Sequence, residues 1–171
     1  SEKPAGAMFY PEDMTKEEFQ AFDSNIKTSL YTLIQRNENG GLEAVWYHEA
    51  FKEEVKQAAS LLREAAGLAG DREFANYLEL RAEALLTDKY RESDMAWLDV
   101  KNNNVDLVIG PIENYTDGLF GYKAAHEAFI LIKDKAWSEK LSKYAAFLPQ
   151  LQKEMPVEPM YKQEVPGSDA D

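Results

Sequence analysis

Cysteine is absent from the 171 residues. That excludes disulfides, zinc–thiolate sites, iron–sulfur clusters and cysteine nucleophiles. A thiol-free chain fits the cytosol, although exported proteins share the trait. No apolar run approaches the roughly 18 residues that span a bilayer. The first residues, Ser1-Glu2-Lys3-Pro4, carry no apolar signal segment, so a cytoplasmic setting is the expectation. Basic side chains are few, 19 against 31 acidic, and the formal net charge is −12. This balance opposes general nucleic-acid binding, which needs Lys and Arg to neutralise phosphates, and it equally opposes adhesion to anionic lipid. An initiator Met is missing, and the chain stops in polar sequence from Glu164 to Asp171. Both ends read as cut from something longer.

What is present suffices for one core. Hydrophobic residues make up 44% of the chain and aromatics 12%, too many for a disordered acidic tail. Thr15 with Glu18 three residues on is a capping box, so a short helix is expected from there to about Asp23. Tyr31–Arg36 and Leu42–Tyr47 read as a hairpin around Asn39-Gly40, a pair suited to positive φ. From His48 to Leu68 the period becomes helical, with Phe51, Val55, Ala58, Leu62 and Ala65 as the expected stripe. Asp71 is a candidate N-cap for a second helix to about Leu86, burying Phe74, Tyr77, Leu78, Ala82 and Leu85. The short join predicts an antiparallel helix pair. A short helical stretch follows Ser93, Asn102–Asn104 marks a turn, and Val105–Ile109 and Ala128–Ile132 are of strand length. A last helix is expected over Lys135–Leu148, ended or kinked by Pro149. Beyond Met155 the prolines predict an extended arm. The fold class is α+β: an antiparallel helix pair and a C-terminal helix packed on a small, mostly antiparallel set of strands.

Few residues carry recognisable chemistry. His48-Glu49 and His126-Glu127 lack the second histidine of a helical zinc site, since the fourth positions on are Lys52 and Ile130. Both histidines therefore read as structural. No Gly-x-Ser-x-Gly elbow exists. Gly118-Leu119-Phe120-Gly121 lacks the Lys-Ser/Thr ending of a phosphate loop and reads as a turn between strands. Glu49, Lys52, Glu53, Glu54 and Lys56 form a solvated face. Trp46 and Trp97 are core residues, with a ligand cleft as the lesser reading. One segment stands apart, Gly110-Pro111-Ile112-Glu113-Asn114-Tyr115-Thr116-Asp117. It leaves an apolar strand, and in an extended chain Glu113 and Tyr115 share a side. A carboxylate beside a phenol suits a cationic amine; the competing reading is an ordinary surface loop.

This segment and its surroundings resemble the dipeptidyl peptidase III family of zinc exopeptidases, bacterial branch. The resemblance rests on Phe9-Tyr10-Pro11-Glu12-Asp13-Met14-Thr15, Ser29-Leu30-Tyr31-Thr32, Ser93-Asp94-Met95-Ala96-Trp97-Leu98, Val108 to Tyr115, Asp117-Gly118-Leu119-Phe120-Gly121, Glu127-Ala128-Phe129-Ile130, and the tail Tyr161 to Asp169. It implies a fragment of a two-lobed metallopeptidase that releases dipeptides from the N-terminus of short peptides. It also implies that Glu113 binds the substrate ammonium and that Tyr115 contacts the peptide beside it. The family's zinc motif, His-Glu-x-x-Gly-His or His-Glu-x-x-x-His with a distal glutamate, is matched nowhere. The segment is thus expected to precede the metal helix, to hold no catalytic residue or metal ligand, and to be inactive alone, with zinc on the remaining part of the enzyme.

On this basis residues 1–133 belong to the amine-binding lobe, 134–155 to a helix of the zinc lobe, and 156–171 to the arm. The expected partners are a short peptide and the zinc-containing remainder, with no nucleic acid and no membrane. Plant relatives carry an added Nudix domain, but the Nudix box is absent: Arg63-Glu64 runs into Ala65-Ala66-Gly67. The rival function is a non-enzymatic peptide-binding or scaffold domain. A purely structural acidic helical module is a third reading, favoured if Glu113 is buried in an internal salt bridge.

Overall fold

The structure is a computed structural model, and it describes residues 4–163. Local chemistry starts each early element. Helix α1 (Lys16–Ala21) begins where Thr15 Oγ1 accepts from the Glu18 amide at 3.0 Å. Strands β1 (Thr32–Arg36) and β2 (Leu42–Trp46) form an antiparallel pair in the register Thr32↔Trp46 to Arg36↔Leu42. In their turn Asn37 Oδ1 accepts from the amides of Asn39 and Gly41, each at 3.0 Å, and Gly40 takes φ +79°. Ile34 and Leu42 on this hairpin pack with Tyr10 and Phe19 into a small cluster that also gathers Leu119 and Phe120.

The long helix expected from His48 is split. A single turn α2 (Tyr47–Ala50) gives way at Phe51 to α3 (Lys52–Leu68). The buried stripe of α3 is Val55, Ala59, Leu62 and Ala66. Ala65 is exposed and Ala58 only half-buried, which corrects the expected phase by one residue at those two positions. Helix α4 (Arg72–Thr87) starts at Asp71, whose Oδ1 accepts from the Phe74 amide at 2.8 Å. It buries Tyr77, Leu78, Ala82 and Leu85 against α3, and α5 (Arg91–Asp99) packs on it next.

Strands β3 (Val105–Glu113) and β4 (Ala125–Ile132) both run longer than their apolar cores predict. They pair antiparallel, with an irregularity between Pro111 and Glu113. Leu107 and Ile109 rest on the helical cluster, and Tyr77 donates its hydroxyl to the Leu107 carbonyl at 2.7 Å. The strands are therefore two separate two-stranded sheets. Tyr47, fully buried, joins the halves by donating to the Ala124 carbonyl at 2.9 Å.

Asp134 is the N-cap of α6 (Lys135–Ala145), and a second helix α7 (Leu148–Glu154) follows. Pro149 lies in the first turn of α7, where its missing N–H costs nothing; it starts a helix instead of ending one. Neither helix buries a residue, and Trp137, Leu141, Tyr144, Leu148 and Leu151 are all exposed. A 3₁₀ turn, Pro159–Lys162, interrupts the segment expected as an extended arm. The rest of that arm, and most of the Tyr161–Asp169 motif, lie outside the described residues.

Candidate functional site

Strand β3 is steered by one glycine. Gly110 has φ +128°, and a Cβ on it would stand 3.2 Å from the Tyr90 ring and 3.5 Å from Arg81 Nη1. The Arg81 guanidinium is buried there, over the rings of Tyr77 and Tyr90 and donating to Asp94 at 2.5 Å. A side chain at 110 meets both a disfavoured backbone and a filled space. Gly110→Ala is expected to lower stability by about 1–3 kcal/mol, read as a fall in the urea midpoint at unchanged slope.

Past Gly110, Pro111 is buried and Glu113 ends the strand opposite Ala125. Glu113 is exposed, and no salt bridge among the described residues involves it. The Tyr115 ring is exposed as well, and it stands close enough to Glu113 to feel that carboxylate. The Glu113 carboxylate foremost, and the Glu127 charge after it, push the Tyr115 phenol above its ordinary value. Two carboxylates thus act on one phenol at the end of the β3–β4 sheet. Such a group is chemically suited to a cation, the acids supplying charge and the phenol a polar tip.

The loop leaving this pair is rigid. The Asp117 side chain is buried and accepts from five donors. Leu119 and Phe120 amides reach Oδ1, each at 3.1 Å. The Tyr10 hydroxyl at 2.7 Å, the Tyr122 amide at 2.9 Å and the Lys123 amide at 3.1 Å reach Oδ2. Burial works to raise the Asp117 pKa, but the hydrogen bonds from Tyr10 and the loop amides outweigh it, and the carboxyl titrates below its ordinary value. Lys123 is fully buried and donates its Nζ to the carbonyls of Lys27 and Ser29 and to Thr32 Oγ1, at 2.7, 3.0 and 2.7 Å. Burial pulls its pKa down to about 8, although the Asp117 charge opposes the shift.

Beside the site lies a cavity of about 340 Å³, walled by Phe51, Val55, Leu85, Ile109, His126 and Glu127 among others. Glu127 serves both the cavity and Tyr115, so the two adjoin. Neither Trp46 nor Trp97 lines it. Trp97 instead packs on the helical cluster and donates Nε1 to Asp106 at 3.0 Å.

The histidines have structural neighbours. His48 Nδ1 lies 2.7 Å from Asp88 Oδ2, and the His48 amide donates to the same oxygen. His126 packs on the rings of Tyr47 and Phe51, and burial lowers its pKa while the Asp88 charge opposes this. Among the described residues no three His, Asp or Glu side chains gather as metal ligands. These residues do not fit a catalytic zinc.

Sequence reasoning named Glu113 and Tyr115 and missed Glu127, Asp117 and Lys123. Asp117-Gly118 followed by Gly121 is a turn signal for the first of the loop's anchors. Nothing local flags Lys123, whose partners lie more than ninety positions earlier.

A model of peptidase family M49 matches residues 19–166. The chain is 43% identical to dipeptidyl peptidase III from Caldithrix abyssi, whose solved structure superposes with a TM-score of 0.86 over 99% of this chain and 33% of that one. For dipeptidyl-peptidase III from Corallococcus sp. strain EGB the values are 37% and 0.76, over 94% and 31%. Nudix hydrolase 3 of Arabidopsis thaliana is 32% identical over 94% of this chain and 24% of its own length. Dipeptidyl peptidase 3 of Homo sapiens is 27% identical over 84% and 19%. The chain therefore spans no more than a third of any of these proteins.

Proposed function

The chain belongs to peptidase family M49, and from that premise we propose that it supplies the substrate-amine subsite of a zinc-dependent dipeptidyl peptidase. Glu113 takes the ammonium of a short peptide, and Tyr115, beside the Glu113 carboxylate, directs the peptide's first residues. The observation that carries this reading is an exposed carboxylate, free of any basic partner among the salt bridges of the described residues, with a phenol within reach of its charge beside an apolar cavity. A counter-ion is what such a carboxylate lacks, and a peptide's terminal ammonium is one that also fixes register from the chain end.

The metal belongs, on this proposal, to sequence outside residues 4–163, because the described residues assemble no ligand set. Residues 134–155 form part of the metal-bearing lobe. Their apolar side chains are uncovered, and a face of that size is suited to burial against another part of a protein. The match to a plant Nudix hydrolase carries no pyrophosphatase reading, since these residues lack the Nudix box.

The test uses one peptide with a free and with an acetylated N-terminus. The whole peptidase is expected to release a dipeptide from the free form at least a hundredfold faster, while chain 1–171 alone releases none from either. Equal cleavage of the acetylated peptide removes the ammonium subsite. Chelator-sensitive cleavage by chain 1–171 removes the assignment of the metal to other sequence.

A further inference from the structure

We propose that Asp117 is the positioning residue of the amine subsite: it fixes the path of the 114–124 loop and through it the placement of Tyr115 beside Glu113. This rests on the function proposed above.

Tyr115 is exposed, so packing does not fix its ring. Its backbone is fixed instead. Asp117 N donates to the Asn114 carbonyl and Gly121 N to the Asp117 carbonyl, both at 3.0 Å, and Asn114 Nδ2 closes the loop on the Gly121 carbonyl at 2.7 Å. Tyr115 and Thr116 are therefore the only residues between a strand end at Glu113–Asn114 and the buried Asp117 anchor. The anchor is itself tied to a distant part of the chain. Tyr10, which donates to Asp117, stacks edge-on with Phe19 and Phe120 in the hairpin cluster. Lys123, on the other side of Asp117, holds the segment from Lys27 to Thr32. Asp117 thus ties the turn that carries Tyr115 to the hairpin half, beside the packing of Leu119 and Phe120 and the bonds of Lys123. Asp117 needs its ionised form for this, because all five partners are donors and the amide nitrogen of an asparagine would oppose some of them.

A residue that acts through Tyr115 has no effect on binding once the Tyr115 side chain is gone. A residue that only stabilises the fold adds its effect to that of any other variant. The experiment is a double-mutant cycle in the whole peptidase with a dipeptidyl arylamide, measuring KM and kcat for Glu113→Gln, Tyr115→Ala, Asp117→Asn, Tyr10→Phe and the two doubles with Tyr115→Ala. Tyr10→Phe removes one donor of five and keeps the ring, so it reports even where Asp117→Asn does not fold. The expected result is a three- to tenfold rise in KM for Tyr10→Phe, a larger one for Asp117→Asn, kcat within twofold, and less than twofold further change when either is added to Tyr115→Ala. Additive changes, a fall in kcat at constant KM, or an unchanged KM in Tyr10→Phe overturns the positioning role while leaving the amine subsite standing. An unchanged KM in Glu113→Gln alone overturns the subsite itself, and the positioning role with it.

Discussion

Glu113→Gln in the whole peptidase is expected to lower kcat/KM by about 10- to 150-fold, mostly through KM. The substitution keeps the shape and one acceptor oxygen and removes the charge. A hydrogen bond to a charged group contributes roughly 1.5–3 kcal/mol, and that range converts to the stated factor. Glu113 stands at a strand end, exposed and apart from the salt bridges of the described residues, so the loss falls on what binds there and not on the fold. Two readouts make the result specific. Bound zinc per chain stays at the unsubstituted value, because no metal ligand set lies among the described residues. The pH profile also changes. A peptide's α-amine has a pKa near 8, so the parent enzyme loses affinity as pH rises through that value. The variant, with no charge to meet the ammonium, shows a flatter profile there. An unchanged specificity constant, or a loss that tracks missing zinc, refutes the role of Glu113.

How far the chain could be read from its sequence depended on the range of the interaction. Thr15, Asn37–Gly41 and Asp71 act within four residues, and each does what its spacing implies. The α3 stripe was misphased because alanines at 58 and 59 and at 65 and 66 offer two equivalent faces. Only packing against Leu78 and Leu85 chooses between them. Pro149 was ambiguous by nature, since the property that stops one helix admits proline to the first turn of the next. At the site, the pairing of Glu113 with Tyr115 assumes an extended chain, whereas β3 ends at Glu113 and Tyr115 lies in a turn closed by the Asp117 amide on the Asn114 carbonyl. The anchors of that turn are not legible in sequence at all. Tyr10 meets Asp117 across 107 positions and Thr32 meets Lys123 across 91, and a lysine seen in sequence reads as surface.

That buried lysine predicts an unusual alkaline stability profile. Lys123 has a folded-state pKa near 8, lowered by burial from an ordinary value of 10.5. Between those values the unfolded chain holds a proton that the folded chain has released, so stability rises with pH through this window. Below pH 8 the charged group costs the fold about 3 kcal/mol, and roughly half of that is recovered by pH 9.5. The buried tyrosines act in the opposite sense. Burial raises the phenols of Tyr10, Tyr47, Tyr77 and Tyr90, Tyr77 to about 12, with the Asp117 hydrogen bond adding to the shift at Tyr10. Their unfolded forms ionise near pH 10, so stability falls as pH rises past that point. The sum is a maximum near pH 9.5, about 1 kcal/mol above the value at pH 7. Urea midpoints measured from pH 7 to 10.5 read it directly. Lys123→Met leaves the Lys27 and Ser29 carbonyls without this donor and lowers stability at every pH, but its midpoint is flat to pH 9 and then declines. The slope separates the ionisation of Lys123 from its packing. A parent chain with no rise between pH 8 and 9.5, or a variant that keeps the rise, shows that Lys123 is not the group responsible.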